Sequence, residues 1–260
     1  MFNDGSYERS RTAGALVGMA ALLLALAAGS VQGRENRIIN GTLAADGELP
    51  WQVVLADSDY QPYCGGTLVR SNWVVTAAHC VEADYSNGMT ETDISNPSPS
   101  LYVGVGGTDL TALADVITVK RIFIHPDYDP YTVDNDIALL QLSEAANCAN
   151  CQPIDFVTPS TEATLAAPGT MATISGWGNT STTSYVYPND LYKVEVPILS
   201  REQCITPNAG YSAEEITSNM MCAGYTDGTA DSCQGDSGGP LVVDDGTGSN
   251  TYVLAGVVSW

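Results

Sequence analysis

Apolar positions fall into two regimes along the chain. The run AGALVGMAALLLALAA (13–28) is unbroken and follows Arg9 and Arg11. From Ile38 onward the apolar stretches are short, rich in β-formers, and cut by Gly, Pro, Asn and Asp. WQVVLA (51–56), GGTLVR (65–70), NWVVTAA (72–78), LYVGVG (101–106), DVITVKRIFI (115–124) and DIALLQL (136–142) read as strands. ATISGW (172–177), LYKVEVPIL (191–199), GPLVV (239–243) and YVLAGVVSW (252–260) continue the series. Many short strands separated by turn residues point to an all-β sandwich or barrels. A short helix is expected over SREQCI (200–205), with Ser200 as its N-cap and Gln203 three residues on. Two stretches read as loops: the polar, acidic 82–100 and the unpatterned 143–170. The second connects two halves, with a boundary near 150–165, and no fixed-period repeat is evident.

Composition narrows the picture. A chain of 260 residues suits one domain or two small ones, and 44% hydrophobic with 15% charged residues is a globular composition. The net charge is -21, with nine Lys plus Arg. Such a surface repels phosphate backbones and anionic headgroups, so neither nucleic acid nor a membrane surface is an expected partner. The apolar run 13–28 is slightly short for a span, and AGS (28–30) offers small residues for a signal peptidase. Residues 1–30 therefore read as a secretory signal rather than a retained anchor. Secretion makes the compartment oxidising, so disulfides become the default for cysteine.

The chain holds two histidines, His79 in VVTAAHC and His125 in IFIHPDY. A serine or cysteine nucleophile usually needs an imidazole base near pH 7. His125 precedes a Pro at a strand end and reads as a turn residue. His79 follows a strand and precedes Cys80, where a disulfide can fix its backbone. Ser237 sits in GDSGG, whose small residues let the backbone turn tightly and leave the hydroxyl exposed. The N–H groups of Gly235 and Ser237 can then converge as an oxyanion hole, worth ~10²–10³ in rate per donor. The string also fits the G-x-S-x-G of α/β-hydrolases. That order is Ser, acid, His, and no histidine follows Ser237 within these residues. The order left is His79, an acid, Ser237. Asp136 opens an apolar strand and can be carried inside, where an imidazole N–H would partner it. Asp134 lies further out in the turn and is expected to be solvated.

RIING, TAAHC, DNDIALL, ISGWG, DSCQGDSGGP and VVSW occur in this order over essentially the whole chain from Ile38. On these strings the chain resembles the trypsin-type serine proteases of the chymotrypsin fold. The resemblance implies two six-stranded antiparallel β-barrels with the active site between them. It implies a catalytic triad of His79, Asp136 and Ser237, with the Gly235 and Ser237 N–H groups holding the oxyanion. Asp231 matches the floor of the primary specificity pocket, lined by Ser232, which implies cleavage after Arg or Lys. Ser259 and Trp260 match the strand that pairs with the substrate backbone. A zymogen is implied, with residues 31–37 as activation propeptide and cleavage at Arg37–Ile38. The new ammonium of Ile38 would then pair with Asp236. Arg34 is an alternative cut site, but leaves no ammonium at Ile38. The partners implied are polypeptide substrates, an activating protease or self-activation, and protein protease inhibitors, for a secreted monomer.

Seven cysteines are present. By the resemblance, Cys64–Cys80 and Cys204–Cys222 match two bridges of the family. Cys148 and Cys151 form a C-x-x-C that reads as a small local disulfide rather than a redox pair, and two cysteines alone make no zinc site. Cys233 is left over. Its family partner follows the SW strand, so the chain is expected to be truncated at Trp260, with the second barrel incomplete. Asp109 and Asp115 are too few for the family's calcium loop, and no metal or cofactor is expected. Beyond position 37 the basic residues are Arg70, Lys120, Arg121, Lys193 and Arg201, which leaves an enzyme cutting after Arg or Lys few sites on itself. A non-catalytic relative would have lost a triad residue, and all three are present. An esterase shares the acyl-enzyme chemistry but has no use for the zymogen switch.

Overall fold

Alternation of buried and exposed positions builds the first lobe. The structure is a computed structural model that describes residues 41–82, 89–95, 101–179, 187–206, 211–225, 236–248 and 251–260. The predicted signal, the activation cut and much of DSCQGDSGGP lie outside the described residues. After β1 (Thr42–Leu43), the strands β2 (Gln52–Ala56), β3 (Pro62–Arg70) and β4 (Trp73–Thr76) form a meander. β5 (Glu91–Asp93), β6 (Tyr102–Val105), β7 (Asp115–Ile124) and β8 (Ala138–Leu142) follow. The order β7-β6-β2-β3-β4-β8, with β8 paired back to β7, closes a six-stranded antiparallel barrel. β7 shows how the sequence encodes the curve. Ile117 and Val119 face inward, then Ile122 and Ile124 do, and the register shifts between Val119 and Arg121. That bulge bends the strand, so its first half pairs with β6 and its second with β5. Leu55, Leu68, Leu101, Ile122 and Leu140 are fully buried inside, each worth about 1.5–3 kcal/mol on burial.

The second lobe is a sheet of order β1-β11-β10-β13-β14-β9, with β12 on the side of β11. Its strands are β9 (Asp155–Phe156), β10 (Met171–Gly176), β11 (Tyr192–Leu199), β12 (Cys222–Ala223), β13 (Pro240–Asp244) and β14 (Tyr252–Val257). It does not close, and its β9 edge pairs parallel to β14. Along β11 the strict alternation of Tyr192, Val194, Val196 and Ile198 supplies the inner face. A separate apolar cluster joins the lobes, with Val54, Val75, Trp177, Leu191 and Val242 among its members. The buried Ser175 hydroxyl crosses the same junction to Gln52 Oε1 at 2.6 Å.

Ten predicted strands are present, and the short helix appears as α2 (Arg201–Cys204), after α1 (Glu162–Leu165). Both halves of the α2 capping box form: Gln203 N–H donates to Ser200 Oγ and Ser200 N–H to Gln203 Oε1. The two predicted loops hold more than turns, because 82–100 contains β5 and 143–170 contains β9 and α1. These elements are two to four residues long, and their pairing comes from strands distant in sequence. Disulfides join Cys64–Cys80, Cys148–Cys151 and Cys204–Cys222. Cys233 lies outside the described residues. Among the described residues no helix is long and apolar enough to cross a membrane.

Candidate active site

Three segments meet where the lobes face each other. The 3-10 turn Ala78–Cys80 follows β4 and carries His79 between buried Ala78 and buried Cys80. Its Cys80 is bonded to Cys64 of β3, so the turn is tied down at its base. The β7–β8 loop carries Asp136 two residues before β8, and the turn entering β13 carries Ser237.

His79 and Asp136 are joined twice. The main-chain N–H of His79 donates to Asp136 Oδ1 at 2.9 Å, and ring Nδ1 lies 2.7 Å from Oδ2. Ser259 adds a hydroxyl donor to Oδ2 at 2.5 Å. The Asp136 side chain is 3% exposed, against 34% for His79, so the acid is interior and the base opens to solvent. Burial pushes the Asp136 carboxyl up, but the hydrogen bonds from His79 and Ser259 and the His79 charge outweigh it, holding the carboxyl below its ordinary range. With Nδ1 facing the carboxylate, Nε2 is the other ring nitrogen, and it lies 3.7 Å from Cys80 Sγ.

Ser237 Oγ donates to the Ser259 carbonyl at 3.3 Å. Among the described residues no hydrogen bond joins Ser237 directly to His79, and Ser259 is their link through Asp136. Rotation about Cα–Cβ is the motion that turns the Ser237 hydroxyl from one acceptor to another. The serine turn is tight. Gly239 N–H closes on Asp236 O at 2.8 Å, Gly238 N–H reaches Val258 O at 2.7 Å, and Ser237 O accepts from Gly65 N–H at 2.7 Å. Gly238 has φ +81°, and a Cβ there would fall 2.2 Å from Thr76 Oγ1 and 2.5 Å from Gly65 O. Sterics thus require the glycine after Ser237.

Asp236 is fully buried and accepts from Gly178 N–H at 2.9 Å. A Cβ on Gly176 or Gly178 would come within 2.1 or 2.6 Å of its Oδ1, so the ISGWG glycines make room for this carboxylate. Sequence reasoning missed that role for Gly176 and Gly178, and missed Thr76, whose hydroxyl holds Gly65 O at 2.8 Å beside the serine turn. The glycine spacing was the available signal. It missed also that Ser259 ties Asp136 to Ser237.

Asp134 departs from expectation in part. It stays partly exposed in its turn, as expected, but is also hydrogen-bonded to Thr217 Oγ1 at 2.6 Å and to Asn219 Nδ2 at 3.2 Å. Its neighbours Val133 and Asn135 have φ +56° and +54°, a conformation costing of order 1–3 kcal/mol each. His125 is the turn residue expected: its O accepts from Tyr128 N–H and its Nδ1 from Asp127 N–H. Trp260 is 53% exposed, with its ring edge-on to Tyr211 at 5.1 Å. Cys64, His79 and Cys80 lie close enough to suggest a metal cluster, but both sulfurs are bonded to each other. Gly235, Asp231, Ser232, Arg37 and Ile38 lie outside the described residues.

A family model described as Trypsin matches residues 38–260. The chain belongs to the trypsin family. That family comprises serine-type endopeptidases, and its polypeptide substrates follow from the class. The chain is 38% identical to trypsin of Xenopus laevis over 229 residues, covering 87% of this chain and 81% of that protein. It is 38% identical to serine protease 1 of Canis lupus familiaris over 226 residues, covering 87% and 80%. It is 37% identical to mannan-binding lectin serine protease 1 of Mus musculus over 239 residues, covering 86% of this chain and 32% of that protein. The chain thus spans about a third of the length of that last relative and about four-fifths of the other two.

Proposed function

We propose that the protein is a secreted endopeptidase, made as a zymogen, that cleaves peptide bonds after Arg or Lys through His79, Asp136 and Ser237. The observation that carries this reading is the two-point pairing of Asp136 with His79, extended through Ser259 to the Ser237 hydroxyl. Ser237 Oγ attacks the scissile carbonyl carbon as His79 Nε2 takes its proton. Asp136 fixes the tautomer and stabilises the imidazolium. The tetrahedral oxyanion is held by the N–H groups of Gly235 and Ser237, and among the described residues the Ser237 N–H has no acceptor of its own. His79 then protonates the leaving amine, an acyl-Ser237 forms, and water repeats the sequence in reverse order.

The domain plan is a signal over 1–30, a propeptide over 31–37 and the protease over 38–260. Cleavage at Arg37 frees the Ile38 ammonium to reach Asp236. Full burial of Asp236 supports this, because an interior carboxylate calls for a cation or several donors. Asp231, with Ser232 beside it, selects a substrate Arg or Lys by charge-assisted hydrogen bonding. Ser259 and the exposed Trp260 receive the substrate backbone and its preceding side chains. The test is an assay of the full chain after cleavage at Arg37 with Arg and Phe ester substrates. Faster turnover of the Arg ester, abolished by Ser237→Ala, is expected. Preference for Phe would reject the role of Asp231, and activity in Ser237→Ala would reject the triad.

A further inference from the structure

The loop that delivers Asp136 is held from the opposite lobe. Residues 125–137 join β7 to β8, and their backbone is left-handed at Val133 and at Asn135. For β-branched Val133 this is an outlier conformation, which persists only where surrounding structure over-determines it. Asp134 stands between the two. Its carboxylate accepts Thr217 Oγ1 at 2.6 Å, Asn219 Nδ2 at 3.2 Å on both oxygens, and Asn135 N–H at 3.0 Å. Within the loop, Asn135 Nδ2 donates to Asp127 O, and Asp129 N–H to Asp134 O.

Thr217 and Asn219 belong to the second lobe. They lie between α2 and β12, in a stretch braced by its own contacts. The Arg201 guanidinium donates to the carbonyls of Ala213 and Ile216, and Ile216 is buried. Tyr211, in the same stretch, packs on Trp260. Asp134 therefore fastens a strained first-lobe turn to a braced second-lobe segment, two residues before an acid whose oxygens must meet His79 and Ser259 together.

We propose that Asp134 is a positioning residue of the triad. Through Thr217 and Asn219 it locks the two left-handed residues that aim Asp136 at His79. This rests on the triad reading above and adds a residue to it. Without the tether the loop relaxes, Asp136 turns away, and imidazole orientation is lost while substrate contacts stay. Misplacement on the scale of an ångström is enough to cost about 10²-fold in rate.

The test uses the activated protein and a small Arg ester. Asp134→Ala should lower kcat by roughly 10- to 100-fold with KM within about twofold, and weaken or erase the downfield proton resonance of His79 Nδ1. Asp134→Asn, whose carbonyl can still accept from Thr217, should recover much of kcat. Thr217→Val with Asn219→Ala should reproduce the loss, and adding Asp134→Ala to that pair should change little further. Should Asp134→Ala fail to fold, the Thr217 and Asn219 variants carry the same test. Unchanged kcat and an unchanged proton resonance in folded Asp134→Ala, or in that pair, would overturn the proposal. So would a fall in thermal stability alone. Ser237→Ala, run alongside, separates the readings: if it is inactive while Asp134→Ala keeps full kcat, the triad stands and only this inference fails.

Discussion

His79 is bound to Asp136 at two points, main-chain N–H to one carboxylate oxygen and ring Nδ1 to the other. A single bond would let the ring pivot; two bonds fix where the imidazole sits and which nitrogen carries its proton.

Asp136→Asn tests that arrangement. The amide keeps the shape of the acid but not its charge, and favours the wrong tautomer. On the triad reading kcat should fall on the order of 10⁴-fold with KM little changed, measured on an ester substrate. A loss under tenfold would remove Asp136 from the mechanism.

Acid should undo the same contact. The Asp136 carboxyl is held below its ordinary range, so the folded state binds its proton less readily than the unfolded chain does. Its contribution to stability is present above the ordinary carboxylate value, about 4, and is lost as pH falls through the depressed folded value. Thermal unfolding followed from pH 6 to pH 2 should show a steeper acid decline for the native chain than for Asp136→Asn. Parallel curves would contradict the sign.

Tyr128 gives the alkaline counterpart. Burial, then the charges of Asp136, Glu82 and Asp129, push its phenol up to about 12. The folded state keeps a proton that the unfolded chain releases near 10, so stability falls as pH rises between those values. Tyr128→Phe should lessen that fall. Ultraviolet titration should also lose a late-ionising phenolate, and an unchanged titration would refute the assignment.

Gly238→Ala should destabilise the serine turn. The added Cβ meets Thr76 Oγ1 and Gly65 O on a residue at φ +81°. A loss of roughly 1–3 kcal/mol or more is expected in denaturant unfolding, with acylation of Ser237 slowed. Native stability in this variant would show that the turn can relax.

The placement of basic residues predicts resistance to self-cleavage. Arg70, Lys120, Arg121 and Lys193 lie within strands, and Arg201 opens α2. A protease needs an extended, accessible segment, and these backbones are paired. Glu144→Lys puts a cation in the exposed turn after β8. On the Arg/Lys reading, the activated variant should lose intact chain faster than the parent by gel, with a new N-terminus at Ala145. An equal lifetime would sink the idea.

Much of the fold was legible because strand alternation is a local property. The inner faces of β7 and β11 can be read directly from residue spacing, as can the capping box of α2. β1, β5, β9 and β12 were not legible. At two or three residues each they have no period of their own, and they exist because a distant strand offers hydrogen bonds. Similarly, the strings around His79, Asp136 and Ser237 singled out the candidate site and carried the resemblance to the trypsin family, which the match over residues 38–260 bears out.

By itself, then, the sequence determined the strand pattern, the residue types at the site and the family. Only the tertiary structure decided which groups share a proton. Ser259 joins Asp136 to Ser237 across 123 and 22 residues of chain. Asp134 reaches Thr217 across 83. Such contacts depend on where two lobes meet, and the distance between side chains on separate sheets is set by packing, which no local pattern encodes.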